Sequence, residues 1–235
     1  MIRSLVESEF AGQTEAFAAS AAFQSLKSGR AQKQDYDHLI EGLCRTHLKS
    51  PQILAFLYSM SPPRAARSLK HNMLEELGLD GEAVAHPQLL LKLAEASGFE
   101  QETLERLEAE SQDELRQMCT DPILFGSFKE FGLVVLLEVT CFEWMLSRLA
   151  QSMAGFLSKH RGLTGEALEW FLHHSEVDQR HAEEGLDAVV DYVAYYDFEM
   201  DDLRSLLEIT FRENVFLKRY FGESLPSRHA LVSSL

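Results

Sequence analysis

The 235-residue chain carries 37 acidic residues against 22 Lys and Arg, a formal net charge of −15, and 46% hydrophobic residues. That length and apolar content suffice for one sizeable core, so a single domain is expected over 1–222 with a polar tail over 223–235. The charge, with no cluster of Lys and Arg, excludes nucleic acid and anionic lipid as natural partners.

Three cysteines, Cys44, Cys119 and Cys141, lie far apart without a CxxC spacing, which suggests neither a disulfide framework nor a structural zinc site. The first residues, Met1 to Glu9, carry acids where a signal peptide carries an apolar run. No stretch of about 18 residues is free of charge, so no transmembrane segment is expected and the chain reads as cytoplasmic.

Apolar residues recur at intervals of three and four rather than two, which predicts an all-α chain. In chain order the expected helices are 5–28, 34–59, 64–77, 87–97, 101–118, 123–158, 164–196 and 199–220, followed by a tail around Pro226. Gly29 closes the first, and Pro62-Pro63 separates the second from the third. Gly78 and Gly81 end the third, and Pro87 opens the fourth. Glu102, Glu105, Glu108 and Glu110 give the fifth a solvated acidic face. Thr164 is expected to cap the seventh, with Glu166 in its first turn.

Within the sixth helix, the segment from Gly132 to Leu146 is nearly apolar all round and belongs at the centre of a bundle, yet it holds Glu138 and Glu143. A buried carboxylate needs a compensating partner, and a metal ion is one. The two glutamates lie about 140° apart around the axis, so only one can face a given site. Arg148 is an alternative partner for Glu143.

The seventh helix contains His174, Asp178 and His181. At i, i+4 and i+7 they fall within an arc of roughly 60°. Phe171, Ala182, Leu186 and Val189 flank that face, which turns the three polar groups toward the interior. Two imidazoles and a carboxylate converging in a bundle core suit a non-heme iron site.

Glu76 and His86 form a second candidate pair. In one continuous helix they would lie about 15 Å apart, too far to share an ion. The breaks at Gly78 and Gly81 let Glu76 end one helix and His86 begin the next at the same level. With a carboxylate from the central helix, three carboxylates and three histidines make a dinuclear set that leaves positions open for dioxygen and substrate. The paired Glu-x-x-His motifs of ferritins are missing; only Asp178-x-x-His181 has that spacing. His173 is expected to point away from the site, His38, His71 and His160 to lie at the surface, and Trp144, Trp170, Tyr192, Tyr195 and Tyr196 to be core.

At these residues the sequence resembles the heme-oxygenase-like di-iron oxidases and oxygenases, whose fold is shared with TenA-type thiaminases and pyrroloquinoline quinone synthase, and it looks nearest to the CADD-like proteins. The resemblance runs from about Phe23 to Gly185 and is specific at the late His-x-x-x-Asp-x-x-His and at the Asn-x-x-Glu-Glu turn, Asn72 to Glu76. It implies Glu76, His86, Glu143, His174, Asp178 and His181 as ligands of two irons, or of an iron and a manganese ion. Glu143 is preferred over Glu138 because the family's central glutamate stands about thirty residues before the first late histidine. Some members add a ligand from the second helix, for which Glu41 and His47 are the candidates here. The implied activity is oxidation of a small organic substrate with dioxygen, and the implied assembly a homodimer.

Two departures set this chain apart. Phe23 stands where CADD-like p-aminobenzoate synthases use a tyrosine of their own, and Met153 stands where they carry a lysine, which argues against that reaction. The alternatives are a thiaminase-like hydrolase with Cys44 or Cys141 as nucleophile, and a binding protein that keeps the fold without catalysis.

Overall fold

The computed structural model describes residues 1–79, 84–120 and 126–222. Gly81, Pro226, the tail 223–235 and the side chain of Cys119 lie outside the described residues. The described residues form helices α1 (Ile2–Ala19), α2 (Ala21–Ser28), α3 (Lys33–His47), α4 (Ser50–Met60), α5 (Pro63–Glu76), α6 (His86–Ala96), α7 (Gln101–Thr120), α8 (Phe128–Arg161), α9 (Glu169–Tyr195), α10 (Met200–Phe211) and α11 (Val215–Phe221), with no strand among them. Among the described residues no helix is long and apolar enough to cross a membrane.

Three of the expected helices are each two, and a cap or a proline marks every break. Ser20 takes extended backbone, and its hydroxyl accepts from the Phe23 N–H at 3.2 Å, starting α2. Pro51 occupies the first turn of α4 and separates it from α3. The Asn214 side chain accepts from the Leu217 N–H at 3.0 Å and starts α11. Thr164 makes no side-chain cap bond; it precedes a short 3-10 turn, Gly165–Leu168, and α9 begins after it. The long α8 starts at Phe128, set by a reciprocal cap between Ser127 and Glu130, later than the expected 123. Residues 123–125 lie outside the described ones.

At 34 residues α8 runs roughly 50 Å, and it ends at Gly162 in the left-handed conformation. The chain then folds back, and α8 and α9 make the most extensive helix pairing among the described residues. Leu133, Leu136, Leu137 and Met145 of α8 are fully or almost fully buried, as an all-round apolar helix requires. The N-terminal helices α1 and α2, the α5–α6 corner and the C-terminal α10 and α11 pack around this pair.

The α5–α6 corner positions the site. The Gly78 N–H donates to the Glu75 carbonyl and the Leu79 N–H to the Leu74 carbonyl, both at 2.8 Å. These bonds form a Schellman stop with Gly78 at φ +68°. The returning chain crosses so close that a Cβ on Gly78 would lie 2.8 Å from the Ala85 nitrogen. Glu76 therefore ends α5 at the level where His86 opens α6. Gly78→Ala should lower stability by more than the 1–2 kcal/mol or so of left-handed strain alone, because it also forces that crossing apart. Gly12→Ala, in open space on α1, should instead gain up to about 1 kcal/mol. Denaturant unfolding of the two variants checks the contrast, and equal effects would refute the close crossing.

Candidate metal centre

Six polar side chains predicted from the sequence converge where α5, α6, α8 and α9 meet. Glu76, His86, His174, Asp178 and His181 are buried, each exposing 7% or less of its surface. His86 Nδ1 lies 2.9 Å from Glu76 Oε1, and His174 Nε2 lies 3.6 Å from the same oxygen. One donor atom from each of these three residues falls within 4.8 Å of the other two. The Trp170 carbonyl, one turn earlier on α9, takes a 2.6 Å hydrogen bond from His174 Nδ1. That bond fixes the tautomer and leaves Nε2 turned toward Glu76. The Ser50 hydroxyl donates to Glu76 Oε2, fixing the carboxylate from the other side.

The second half of the cluster lies one turn along α9. His181 Nδ1 is 3.4 Å from Asp178 Oδ1, and its Nε2 is 2.6 Å from Glu75 Oε2. Asp178 Oδ2 is buried with no hydrogen-bond partner among the described residues. Glu143 accepts from the Asn72 side-chain amide. Glu76, Glu143, His174 and Asp178 line one cavity, so the two halves open on the same space. Arg148 does not neutralise Glu143; its guanidinium stacks on Trp144 and donates to the Trp144 carbonyl.

The charges show how strained this set is when protons alone must balance it. Burial pushes the Glu143 carboxyl up to about 7; Asp178 and Glu76 add to the rise, while His181 and the Asn72 bond oppose it. Burial works against the charged form of His181, but hydrogen bonds to Asp178 and Glu75 carry the imidazole up to about 10. Burial would raise Glu76 too, yet hydrogen bonds from His174 and His86 hold it well below the carboxylate range. A carboxylate oxygen without a donor, a glutamate pushed toward its acid form and a histidine held as a cation describe a pocket short of positive charge. Oxygen and imidazole donors in this mixture suit a divalent transition metal, and the residues fit iron.

Sequence reasoning missed the groups that support the donors. Glu75 binds His181 and also accepts from Arg180, and these bonds outweigh burial and pull it down to about 2. Its signal was present in the Asn72-x-x-Glu75-Glu76 turn, but a second acid at a helix end reads as a surface residue. His71, expected at the surface, lies 3.3 Å from Glu75 and is only partly exposed. The expectation that His173 points away is corrected as well: its ring packs edge-on against His86 at 4.4 Å between centroids.

Glu138, the alternative to Glu143, forms an ion pair with Arg219 at 2.7 Å. Glu41 is engaged by Arg106 and Arg45. His47 lies in the cavity wall, bonded to the Tyr220 hydroxyl at 2.8 Å, and burial pushes it down to about 3. Cys44 and Cys141 are fully buried, and burial raises both thiols, Cys44 to about 12, so neither is equipped as a thiolate nucleophile. Trp170 and Tyr192 are core, whereas Tyr195 is 61% exposed.

Beside the donors lies a cavity of about 130 Å³, whose apolar wall is built by Ile53, Leu54, Val135, Val139, Phe142 and Leu146. Phe23 and Met153 are buried, Phe23 edge-on against Phe17 and Phe156, and neither lines that cavity.

A family model described as an iron-containing redox enzyme matches residues 39–204, a span from α3 to α10 that contains all six candidate ligands. No curated protein matches the sequence. Among solved structures, a domain of unknown function with a heme oxygenase-like fold from Shewanella denitrificans OS217 is similar at a TM-score of 0.65, covering 98% of this chain and 94% of that one at 16% identity. A likeness at that identity establishes the fold. With the fold and the matched span in agreement, the chain belongs to the heme-oxygenase-like family of iron-containing redox enzymes.

Proposed function

We propose that this protein is a di-iron oxidase or oxygenase that uses dioxygen on a small organic substrate. The observation that carries the reading is the convergence of three buried histidines and the carboxylates of Glu76, Glu143 and Asp178 at one place in the bundle, where Glu76, Glu143, His174 and Asp178 line a cavity and an oxygen of Asp178 has no donor among the described residues. Glu76, His86 and His174 would hold one ion, and Asp178 and His181, with Glu143, would supply donors for a second. Iron bound there supplies the activation of dioxygen and the removal of hydrogen from, or insertion of oxygen into, the substrate.

The chain's own part is positional. Trp170 and Ser50 orient His174 and Glu76, and Glu75 holds the Nε2 edge of His181 so that Nδ1 stays turned toward Asp178. The apolar wall of Ile53, Leu54, Val139 and Leu146 keeps bulk water from the reacting groups. His47, held neutral by burial, offers the cavity a hydrogen-bonding group that burdens it with no further charge.

Anaerobic reconstitution with ferrous iron should load about two ions per chain, as a six-donor set implies, and metal analysis of protein grown with both metals distinguishes two irons from an iron and manganese pair. The double variant His174→Ala, His181→Ala should lose nearly all of this iron and the transient visible absorbance on mixing with oxygen; a double variant that keeps its full iron content would sink the proposal. Glu75→Ala should weaken iron binding roughly ten- to hundredfold while leaving the helical circular dichroism unchanged, and Glu75→Gln, which keeps an acceptor oxygen, should recover part of that loss.

A further inference from the structure

Among the described residues the cavity wall carries three Lys and Arg side chains, and two of them already have partners. Arg219 pairs with Glu138 at 2.7 Å, and Arg45 lies 3.6 Å from Glu110 and 4.0 Å from Glu41. Glu114 stands in the field of the same two arginines. The third cation is Lys49. It is half-buried, immediately precedes the first turn of α4, and makes no ion pair or side-chain hydrogen bond among the described residues. Its neighbour in sequence, Ser50, is the residue bonded to Glu76, so Lys49 stands on the strip of chain that borders the donor cluster.

A second polar group on the wall also lacks a partner. Ser111, on α7, is 1% exposed, and its hydroxyl is buried with no hydrogen-bond partner among the described residues. A buried hydroxyl without a partner has given up its hydrogen bonds to water and gained none in return. Lys49 adds a cation with no counter-ion among the described residues to the same wall, and a ligand that supplies an anion and a hydrogen-bond partner completes both groups. The rest of the wall is largely aliphatic and aromatic, and the volume of about 130 Å³ is close to the roughly 150 Å³ that accepts a benzene-sized guest.

We propose that the substrate is a small monoanion, an apolar body bearing one carboxylate-like group, whose charge is met by Lys49 and whose polar end is hydrogen-bonded by Ser111. The inference rests on the metal reading above. Ions bound by Glu76, Glu143 and Asp178 take up those negative charges, and Lys49 is then the wall charge left without a counterpart. The chain as a whole is strongly acidic, so an anion gains nothing from the average surface field, and selectivity for it must arise locally at this residue.

The test compares three probes that share a cyclohexyl ring and differ in the charge of the group it carries: cyclohexanecarboxylate, cyclohexylmethanol and cyclohexylmethylamine. Each is titrated calorimetrically into the full chain, both loaded anaerobically with ferrous iron and metal-free. In the loaded protein the carboxylate should bind roughly ten- to hundredfold more tightly than the alcohol, with the amine weakest. Lys49→Met should abolish the carboxylate's advantage while the alcohol binds as before, Lys49→Arg should retain it, and Ser111→Ala should weaken carboxylate and alcohol together.

The proposal is overturned if the amine or the alcohol matches the carboxylate on the unsubstituted protein, or if Lys49→Met keeps the preference, since the anion would then be held by the iron alone. Should Lys49→Met lose the alcohol as well, Lys49→Arg decides, a kept preference supporting the assignment and a lost one refuting it. Iron content measured on the same samples separates the two readings. Iron bound without charge preference refutes the Lys49 assignment alone, whereas a Lys49-dependent preference in protein that takes up no iron refutes the metal reading alone.

Discussion

Glu75, Glu76, Glu143 and Asp178 lie within one helical bundle, in a medium where an unpaired carboxylate costs several kcal/mol. The polar groups around them answer to that burden. Three histidines come from two helices to share the negative charge, Arg180 reaches in to Glu75, and the amide of Asn72 and the hydroxyl of Ser50 each donate to one more oxygen. Even so, Asp178 Oδ2 has no donor among the described residues and Glu143 is pushed toward its neutral form. A core of hydrophobic residues would be easier to fold. The set makes physical sense as a receptacle for cations, and the matched family is one of iron-containing enzymes.

The parts of this arrangement that could be read from the sequence are those fixed by local geometry. His174, Asp178 and His181 share a face because helical periodicity alone puts i, i+4 and i+7 together, and all three are buried. Glu76 and His86 were legible through Gly78, since a stop there lets two sequence-distant residues meet. The choice between Glu138 and Glu143 was not legible from periodicity. On a helix that is apolar all round, the side that faces α9 is decided by tertiary packing rather than by any stripe in the sequence, and the resemblance had to supply it.

The helix breaks at Ser20, Pro51 and Asn214 were missed for a related reason. A break of one to three residues barely disturbs the three-and-four spacing of apolar residues, so a window of periodicity runs across it, while a single capping side chain is enough to stop the helix. Glu75 and the Trp170 carbonyl escaped notice because their roles exist only through the imidazoles they orient. Backbone carbonyls leave no trace in composition, and an acid beside another acid at a helix end looks solvated until its partner is known.

The corner between α5 and α6 also divides the centre by how each half is assembled. His174, Asp178 and His181 take their relative positions as soon as α9 winds, with no loop to close. Glu76 and His86 meet across a short excursion of chain, and the entropy of closing such a loop rises only with the logarithm of its length. Both halves are thus local in sequence, cheap in chain entropy and quick to form, with loops of about ten residues closing in roughly 10–100 ns. The slow, long-range event is the docking of that corner and of Glu143 onto α9, and a bound ion would reward only the docked state. An ion held by both halves would in this way couple metal uptake to the last stage of folding through one glycine-terminated helix.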